Sequence, residues 1–211
     1  MVKSKNRSWI KQHVNDPYVQ LSQKDGYRSR ASYKLLEIIG KDNLIRHGMT
    51  VVDLGAAPGG WSQVAAKLVG HEGRVHAVDL LPMDGIAGVD FILGDFTQEE
   101  ILQQLLALID NRPVDLVISD MAPNLSGMKS VDLPRSIDLI ELAMDFASGW
   151  LRPGGHFVAK AFEGEGIDTL RRQIRMTYDK QVNIKPKASR GRSREIYLIG
   201  LEKKAEGSAG R

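Results

Sequence analysis

Among the 211 residues of the chain there is no cysteine. Disulfide bridges, thiolate nucleophiles and cysteine-ligated zinc are thereby excluded. No apolar run reaches membrane-spanning length and no hydrophobic signal segment lies near the start, so a soluble, cytoplasmic protein without a membrane partner is expected. His13, His47, His71, His76 and His156 are scattered without metal-ligand spacing, and no metal site is expected. No internal repeat or low-complexity segment interrupts the chain. No unexplained apolar stripe asks for a second copy either, so a monomer is the expectation.

What is present is enough apolar material for one full core. At 42% hydrophobic residues the length suits a single α/β domain and is short for two. The expected organisation is a basic extension over 1–28, a catalytic-size domain over 29–203 and a loose tail over 204–211. The net charge of +3 hides an asymmetry. Residues 1–34 hold eight Lys or Arg against Asp16 and Asp25 alone, so the rest of the chain is mildly acidic. A second basic run, Lys180, Lys185, Lys187, Arg190, Arg192 and Arg194, contains no acid. Two basic segments on an acidic body fit a polyanion-binding face as well as two solvated stretches.

Strand and helix patterns alternate along the chain. Strands are expected at Thr50–Leu54, Arg74–Leu80, Val89–Leu93, Val114–Ser119, His156–Phe162, Val182–Lys185 and Ile196–Glu202. Between them, helices are expected from Arg30 with Ser29 as cap, from Gly60, from Gln98 with Thr97 as cap, over Leu133–Trp150 with Asp132 as cap, and over Ile167–Met176. Pro153-Gly154-Gly155 should stop the long helix, and short helices at Trp9–Val14 and Tyr18–Lys24 should flank Asp16-Pro17. This alternation specifies a Rossmann-like α/β fold: an open, doubly wound, mostly parallel seven-stranded sheet with an N-terminal helical extension. Ligands of such sheets bind beyond the carboxyl ends of the strands, which is where Asp53, Asp79, Asp95, Asp120 and Lys160 fall.

The stretch Val52-Asp-Leu-Gly-Ala-Ala-Pro-Gly-Gly-Trp61 reads as a strand, a glycine turn and a helix start, a geometry shared by nucleotide and dinucleotide sites. Asp79, at the end of the second strand, is placed to accept hydrogen bonds from a ribose, which leaves a nicotinamide dinucleotide open. Two features favour S-adenosylmethionine instead. The glycines run Gly55-x-x-x-Gly59-Gly60, and Asp53 lies where a pyrophosphate would meet it. Asp95 could then hold the adenine amino group.

The chain resembles the FtsJ/RrmJ (RlmE-type) family of ribosomal RNA large-subunit 2′-O-ribose methyltransferases, a branch of the class I S-adenosylmethionine fold. The matching stretches, in the family's order, are Arg28-Ser-Arg-Ala-Ser-Tyr-Lys34, Val52 through Gln63, Asp79 through Met83, Gly94-Asp95-Phe96, Ser119 through Asn124, Lys160 in Val-Ala-Lys-Ala-Phe, and Ser189 through Glu195. The resemblance implies a Lys-Asp-Lys-Glu tetrad at Lys34, Asp120, Lys160 and Glu195, with Lys160 as the base. Asp53 and Gly55 join the cofactor positions implied by the family, Gly59, Trp61, Asp79, Asp95 and Asp120. The expected cofactor is S-adenosyl-L-methionine. The expected substrate is the ribose of a uridine in large-subunit ribosomal RNA, within the 50S subunit or a late precursor. A base must be neutral, against a lysine reference pKa of about 10.4. Lysine as base and lysine as ammonium donor are therefore both open. Arg28, Arg30, Arg190, Arg192 and Arg194 are expected to meet RNA phosphates. Trp9, Tyr18 and Tyr27 are candidates for base stacking or for packing. Another RNA such as tRNA, a nicotinamide-dependent dehydrogenase and a non-catalytic ribosome-assembly factor are the alternative functions.

Overall fold

The structure is a computed structural model that describes residues 16–123, 126–191 and 193–205. The expected helix at Trp9–Val14, Trp9 itself and Arg192 lie outside the described residues.

Seven strands form one sheet in the order β3-β2-β1-β4-β5-β7-β6. They are β1 Thr50–Leu54, β2 Arg74–Asp79, β3 Val89–Leu93, β4 Val114–Ser119, β5 Leu151–Phe162, β6 Tyr178–Ile184 and β7 Glu195–Lys203. All neighbours pair in parallel from β3 through β5, while β7 runs antiparallel to both β5 and β6. The order reverses between β1 and β4, and the carboxyl ends at that reversal are the place where an α/β sheet opens a ligand crevice. The helices are α1 Pro17–Lys24, α2 Ala31–Asp42, α3 Gly60–Val69, α4 Glu99–Ile109, α5 Lys129–Trp150 and α6 Ile167–Thr177.

The two faces of the sheet follow from strand period two. Val51, Val75, Leu116, Ile118, Val158, Tyr197 and Ile199 pack with Leu35 and Ile38 of α2 and with Trp61, Val64 and Ala65 of α3. On the other face, Val52, Leu54, Val78, Val117, Phe157 and Leu198 pack with Leu105 of α4, Ala143 and Phe146 of α5 and Leu170 of α6. A fully buried Leu or Ile in such a layer contributes about 1.5–3 kcal/mol. Burial on both faces explains why β1 reads as an unbroken run rather than an alternation. Outside the layers, α1 leans on α2 through Tyr33, whose ring lies 5.6 Å from Tyr18 and 5.5 Å from Tyr27. Both candidate stacking tyrosines are thus used in packing.

Several boundaries differ from those expected, each for a local reason. Arg30 rather than Ser29 precedes α2, because the Ser29 hydroxyl is turned against α3, 2.3 Å from where a Cβ on Gly60 would sit. Gln98 rather than Thr97 precedes α4, because the Thr97 N–H and hydroxyl both donate to Asp95 Oδ1. Helix α5 starts at Lys129, so Asp132 lies in its first turn and reaches back to accept from the N–H groups of Ser126 and Gly127. Pro153-Gly154-Gly155 does not separate helix from strand. Strand β5 begins at Leu151, and its register on β4 jumps from Val114–Leu151 to Leu116–His156, so the Pro-Gly-Gly turn bulges out of a continuing strand. Strand β6 starts earlier than expected because Tyr178 is buried against Phe157, with ring centroids 6.2 Å apart.

Candidate active site

Period two along the strands places Asp53 of β1, Lys160 of β5 and both Glu195 and Tyr197 of β7 on the α2/α3 face, and Asp120 follows β4 in the same phase. The antiparallel pairing sets Lys160 directly opposite Tyr197 and Phe162 opposite Glu195. Lys160 and Glu195 are therefore diagonal neighbours at the carboxyl end of β5.

The four residues expected as a tetrad come together as two ion pairs. Lys34 Nζ of α2 lies 2.8 Å from Glu195 Oε1, and Lys160 Nζ lies 3.1 Å from Asp120 Oδ1. The Lys160 ammonium also donates to the main-chain oxygen of Asp120. Tyr197 links the pairs: its hydroxyl donates to Asp120 Oδ1 at 2.6 Å, and its ring lies 5.8 Å from the Lys34 ammonium. Burial, with the Asp120 and Glu195 charges adding to it, holds the Tyr197 phenol well above its ordinary pKa, so it is a donor throughout the physiological range. Ser189 Oγ completes the cluster by donating to Glu195 Oε1 at 2.7 Å. Lys160 and Glu195 are both buried, so each charge is balanced inside a poorly solvated cleft rather than by water.

The glycine loop and the strand-end acids lie on the β1–β2–β3 side. Gly55 and Gly59 have φ of +79° and +98°, a region that penalises any Cβ. A Cβ at Gly55 would also sit 2.2 Å from Met121 Cγ, and one at Gly59 2.6 Å from Ile86 Cδ1. Asp79 accepts from Ala57 N and Leu81 N, each at 2.8 Å, one on either oxygen. With two lone-pair sites per oxygen, it keeps a free site on both for a vicinal diol. Asp95 lies beside it, since the Gly94 N–H donates to the Asp79 carbonyl. Asp53 is fully buried; its Oδ2 accepts from Ser62 Oγ at 2.6 Å, while Oδ1 has no partner. Burial pushes its carboxyl up to about 7, the Ser62 bond opposing and the Asp120 and Asp79 charges adding to the rise.

Other expected site residues are placed differently. Trp61 is buried, donates from Nε1 to the Ala31 carbonyl at 2.8 Å and lies 5.5 Å from the Tyr197 ring, so it sets the floor between α2 and β7. The Arg28 guanidinium donates to the carbonyls of Asp84 and Gly85, each at 2.6 Å, and of Pro58 at 3.4 Å. It fastens the segment after β2 across the glycine loop. Arg30 is spent on the Asp16 carboxylate and the Ala188 carbonyl. Arg190 and Arg194 are exposed on the loop before β7. Sequence reasoning missed Tyr197 and Ser189; the signal for Tyr197 was its place two residues after Glu195, on the same strand face.

The family profile of FtsJ-like methyltransferases matches residues 27–203, which span every element of this arrangement except α1. The chain belongs to the FtsJ-like methyltransferase family. Among its FtsJ-like relatives, a ribosomal RNA large subunit methyltransferase E from Marinobacter nauticus is 60% identical over 197 residues, covering 93% of this chain and 95% of that protein. A protein of the same name from Pseudomonas fluorescens is 57% identical over 201 residues, covering 95% and 96%. Of solved structures, a protein described as a ribosomal RNA methyltransferase from Plasmodium falciparum superposes with a TM-score of 0.75 at 27% identity, over 84% of this chain and 98% of that one. As an FtsJ-like enzyme, this chain moves a methyl group from a donor. Among the described residues, no group of three or more His, Cys, Asp or Glu could hold a metal ion, and no helix is long and apolar enough to cross a membrane.

Proposed function

We propose that the enzyme transfers the methyl group of S-adenosylmethionine to the ribose 2′-hydroxyl of a uridine in large-subunit ribosomal RNA, acting on the 50S subunit or a late precursor. The observation that carries this reading is the convergence of Lys34, Asp120, Lys160 and Glu195 in one partly buried cluster beside a glycine loop with two acids at adjacent strand ends. The relatives named as large subunit methyltransferases support the choice of RNA.

The donor-side residues fit this cofactor better than a dinucleotide. Asp79 has open acceptor sites for the ribose diol, Asp95 Oδ2 makes no hydrogen bond within the described residues, and Asp53 is a buried carboxylate that a neighbouring cation would favour in its ionised form. A pyrophosphate would place two negative charges among Asp53, Asp79 and Asp120, which is repulsive. Asp53, Gly55, Gly59, Asp79, Asp95 and Asp120 are the residues that would hold the cofactor, with Trp61 supporting them from below. Bound there, it supplies a methyl group already activated by a sulfonium.

The protein then has to orient one hydroxyl and take its proton. Lys160, once its ammonium has released a proton to solvent, accepts the 2′-hydroxyl proton as the oxygen takes the methyl group. The ammonium so formed is held by the Asp120 carboxylate and main-chain oxygen. Tyr197 fixes Asp120 through its 2.6 Å bond, and Lys34, fixed by Glu195, presents its remaining N–H donors to the substrate oxygens. Exposed Arg190 and Arg194 meet the phosphates, while the 2′-hydroxyl itself distinguishes RNA from DNA.

The test is methyl transfer from labelled S-adenosylmethionine to 50S subunits lacking the modification, with the product mapped as a ribose methyl. Loss of the general base predicts that Lys160→Ala lowers kcat by about 10²–10⁴-fold, with cofactor affinity within a few-fold of wild type. An active Lys160→Ala enzyme sinks the base assignment, and a base-methylated product sinks the 2′-O reading.

A further inference from the structure

The loop before β7 carries Ser189 and leads into Glu195, and it is held from one stripe of α2. Arg30, Lys34 and Glu37 are spaced i, i+4, i+7, so they share a helix face. Lys34 reaches Glu195 directly. Glu37 accepts from two consecutive amides of the loop, Lys187 N at 2.6 Å and Ala188 N at 2.9 Å, one on each carboxylate oxygen. Arg30 donates to the carbonyl of the same Ala188. Ala188 is fully buried, and both of its main-chain polar groups are thus taken by charged side chains, Glu37 of α2 and Arg30 just before it. Charge-assisted bonds of this kind fix geometry more firmly than bonds between neutral groups.

Arg30 is itself fixed. Its guanidinium pairs with Asp16, whose other oxygen caps α1 by accepting from Tyr18 N at 3.0 Å, and it lies 5.8 Å from the Tyr18 ring. One residue beyond Ala188, Ser189 donates to Glu195 Oε1, the oxygen that Lys34 also contacts. The chain of contacts therefore runs from α2 to Ala188, to Ser189, to Glu195 and back to α2 at Lys34. It closes a loop around one member of the tetrad.

We infer that Glu37 and Arg30 are positioning residues for Glu195 and, through it, for Lys34. Neither meets the RNA. The inference rests on the methyl-transfer reading above, and it assigns Arg30 a role different from the phosphate contact that its charge suggested.

The experiment is steady-state methylation of 50S subunits by Glu37→Gln and Arg30→Lys, with kcat counted per S-adenosylmethionine-binding site so that unfolded protein does not enter. Glu37→Gln removes one acceptor oxygen and turns an NH₂ group toward a loop amide. Arg30→Lys keeps the charge and loses the planar fork that spans Asp16 and Ala188. The expected result is a fall in kcat of at least tenfold in both. The KM for subunits should stay within twofold of wild type, with an unchanged salt dependence. A phosphate contact gives the opposite pattern: lysine substitutes for arginine with kcat intact, and Arg30→Ala raises KM and lowers the salt slope by about one. That pattern, or kcat within twofold of wild type in both variants, overturns the inference. Should Glu37→Gln fail to fold, Arg30→Lys decides by the same criterion. A wild-type enzyme that leaves the subunit RNA unmethylated fails the underlying reading, whereas an active wild type beside fully active variants fails this inference alone.

Discussion

Replacing Asp53 by Asn isolates the energetic consequence of a carboxylate sealed inside the sheet. Its side chain has no solvent contact, one hydrogen bond from Ser62 and one unpaired oxygen. Burial, outweighing the Ser62 bond and reinforced by Asp120 and Asp79, raises the carboxyl pKa from 3.8 to about 7. At 1.36 kcal/mol per unit, ionising Asp53 in the folded chain costs about 4 kcal/mol more than in the unfolded one. Between about pH 4 and about pH 7 the folded chain keeps a proton that the unfolded chain has released. Stability therefore falls by about 1.4 kcal/mol per pH unit across that window, and the loss is complete above it. Asn has the same size and can still bond Ser62, but it does not ionise. The stability of Asp53→Asn minus that of wild type should climb by about 4 kcal/mol from about pH 4 to about pH 7.5 and then level off, the other carboxylates cancelling in the difference. Urea unfolding at constant ionic strength, followed by tryptophan fluorescence, measures it. A difference that is flat through the window, or that shrinks with pH, refutes the buried proton.

Two further outcomes separate the arginines. Arg28→Ala frees the segment after β2 from the glycine loop, so S-adenosylmethionine affinity should fall about tenfold by titration calorimetry while the salt slope of RNA binding is unchanged; a changed slope with intact cofactor affinity reverses the assignment. Arg194→Ala, at an exposed position before β7, should weaken subunit binding and lower that slope by about one with kcat preserved, and an unchanged slope places Arg194 outside the RNA path.

The part of the candidate site proposed to hold the donor was legible as a pattern of strand ends and turns because that pattern is local. Asp53, Gly55, Asp79 and Asp95 each sit at or just past a strand end, and Gly59 at the helix start that follows, places that hydrophobic runs and glycine breaks reveal, and strand alternation alone ranks those ends together. The proposed acceptor side was readable only as a resemblance, since Lys34, Asp120, Lys160 and Glu195 are brought together by strand order and by the reversed direction of β7. Arg28 and Arg30 show what composition leaves out: nothing in a cation's spacing tells that main-chain carbonyls accept from its guanidinium. The Pro153-Gly154-Gly155 stop failed for a similar reason, because a bulge and a loop share the same turn chemistry and differ only in the neighbouring strand.

The position of β7 between β5 and β6 sets an order of assembly. This strand follows every other element of the sheet in sequence, yet it lies inside the sheet and brings in both Glu195 and Tyr197. As the chain emerges during synthesis, the glycine loop and the acids at the ends of β1, β2 and β3 can be in place while the cluster of Lys34, Asp120, Lys160 and Glu195 has no route to completion. On the proposed reading, the growing polypeptide thus gains the means to hold a methyl donor before it gains the means to use one. Activation waits for the last strand to slot home.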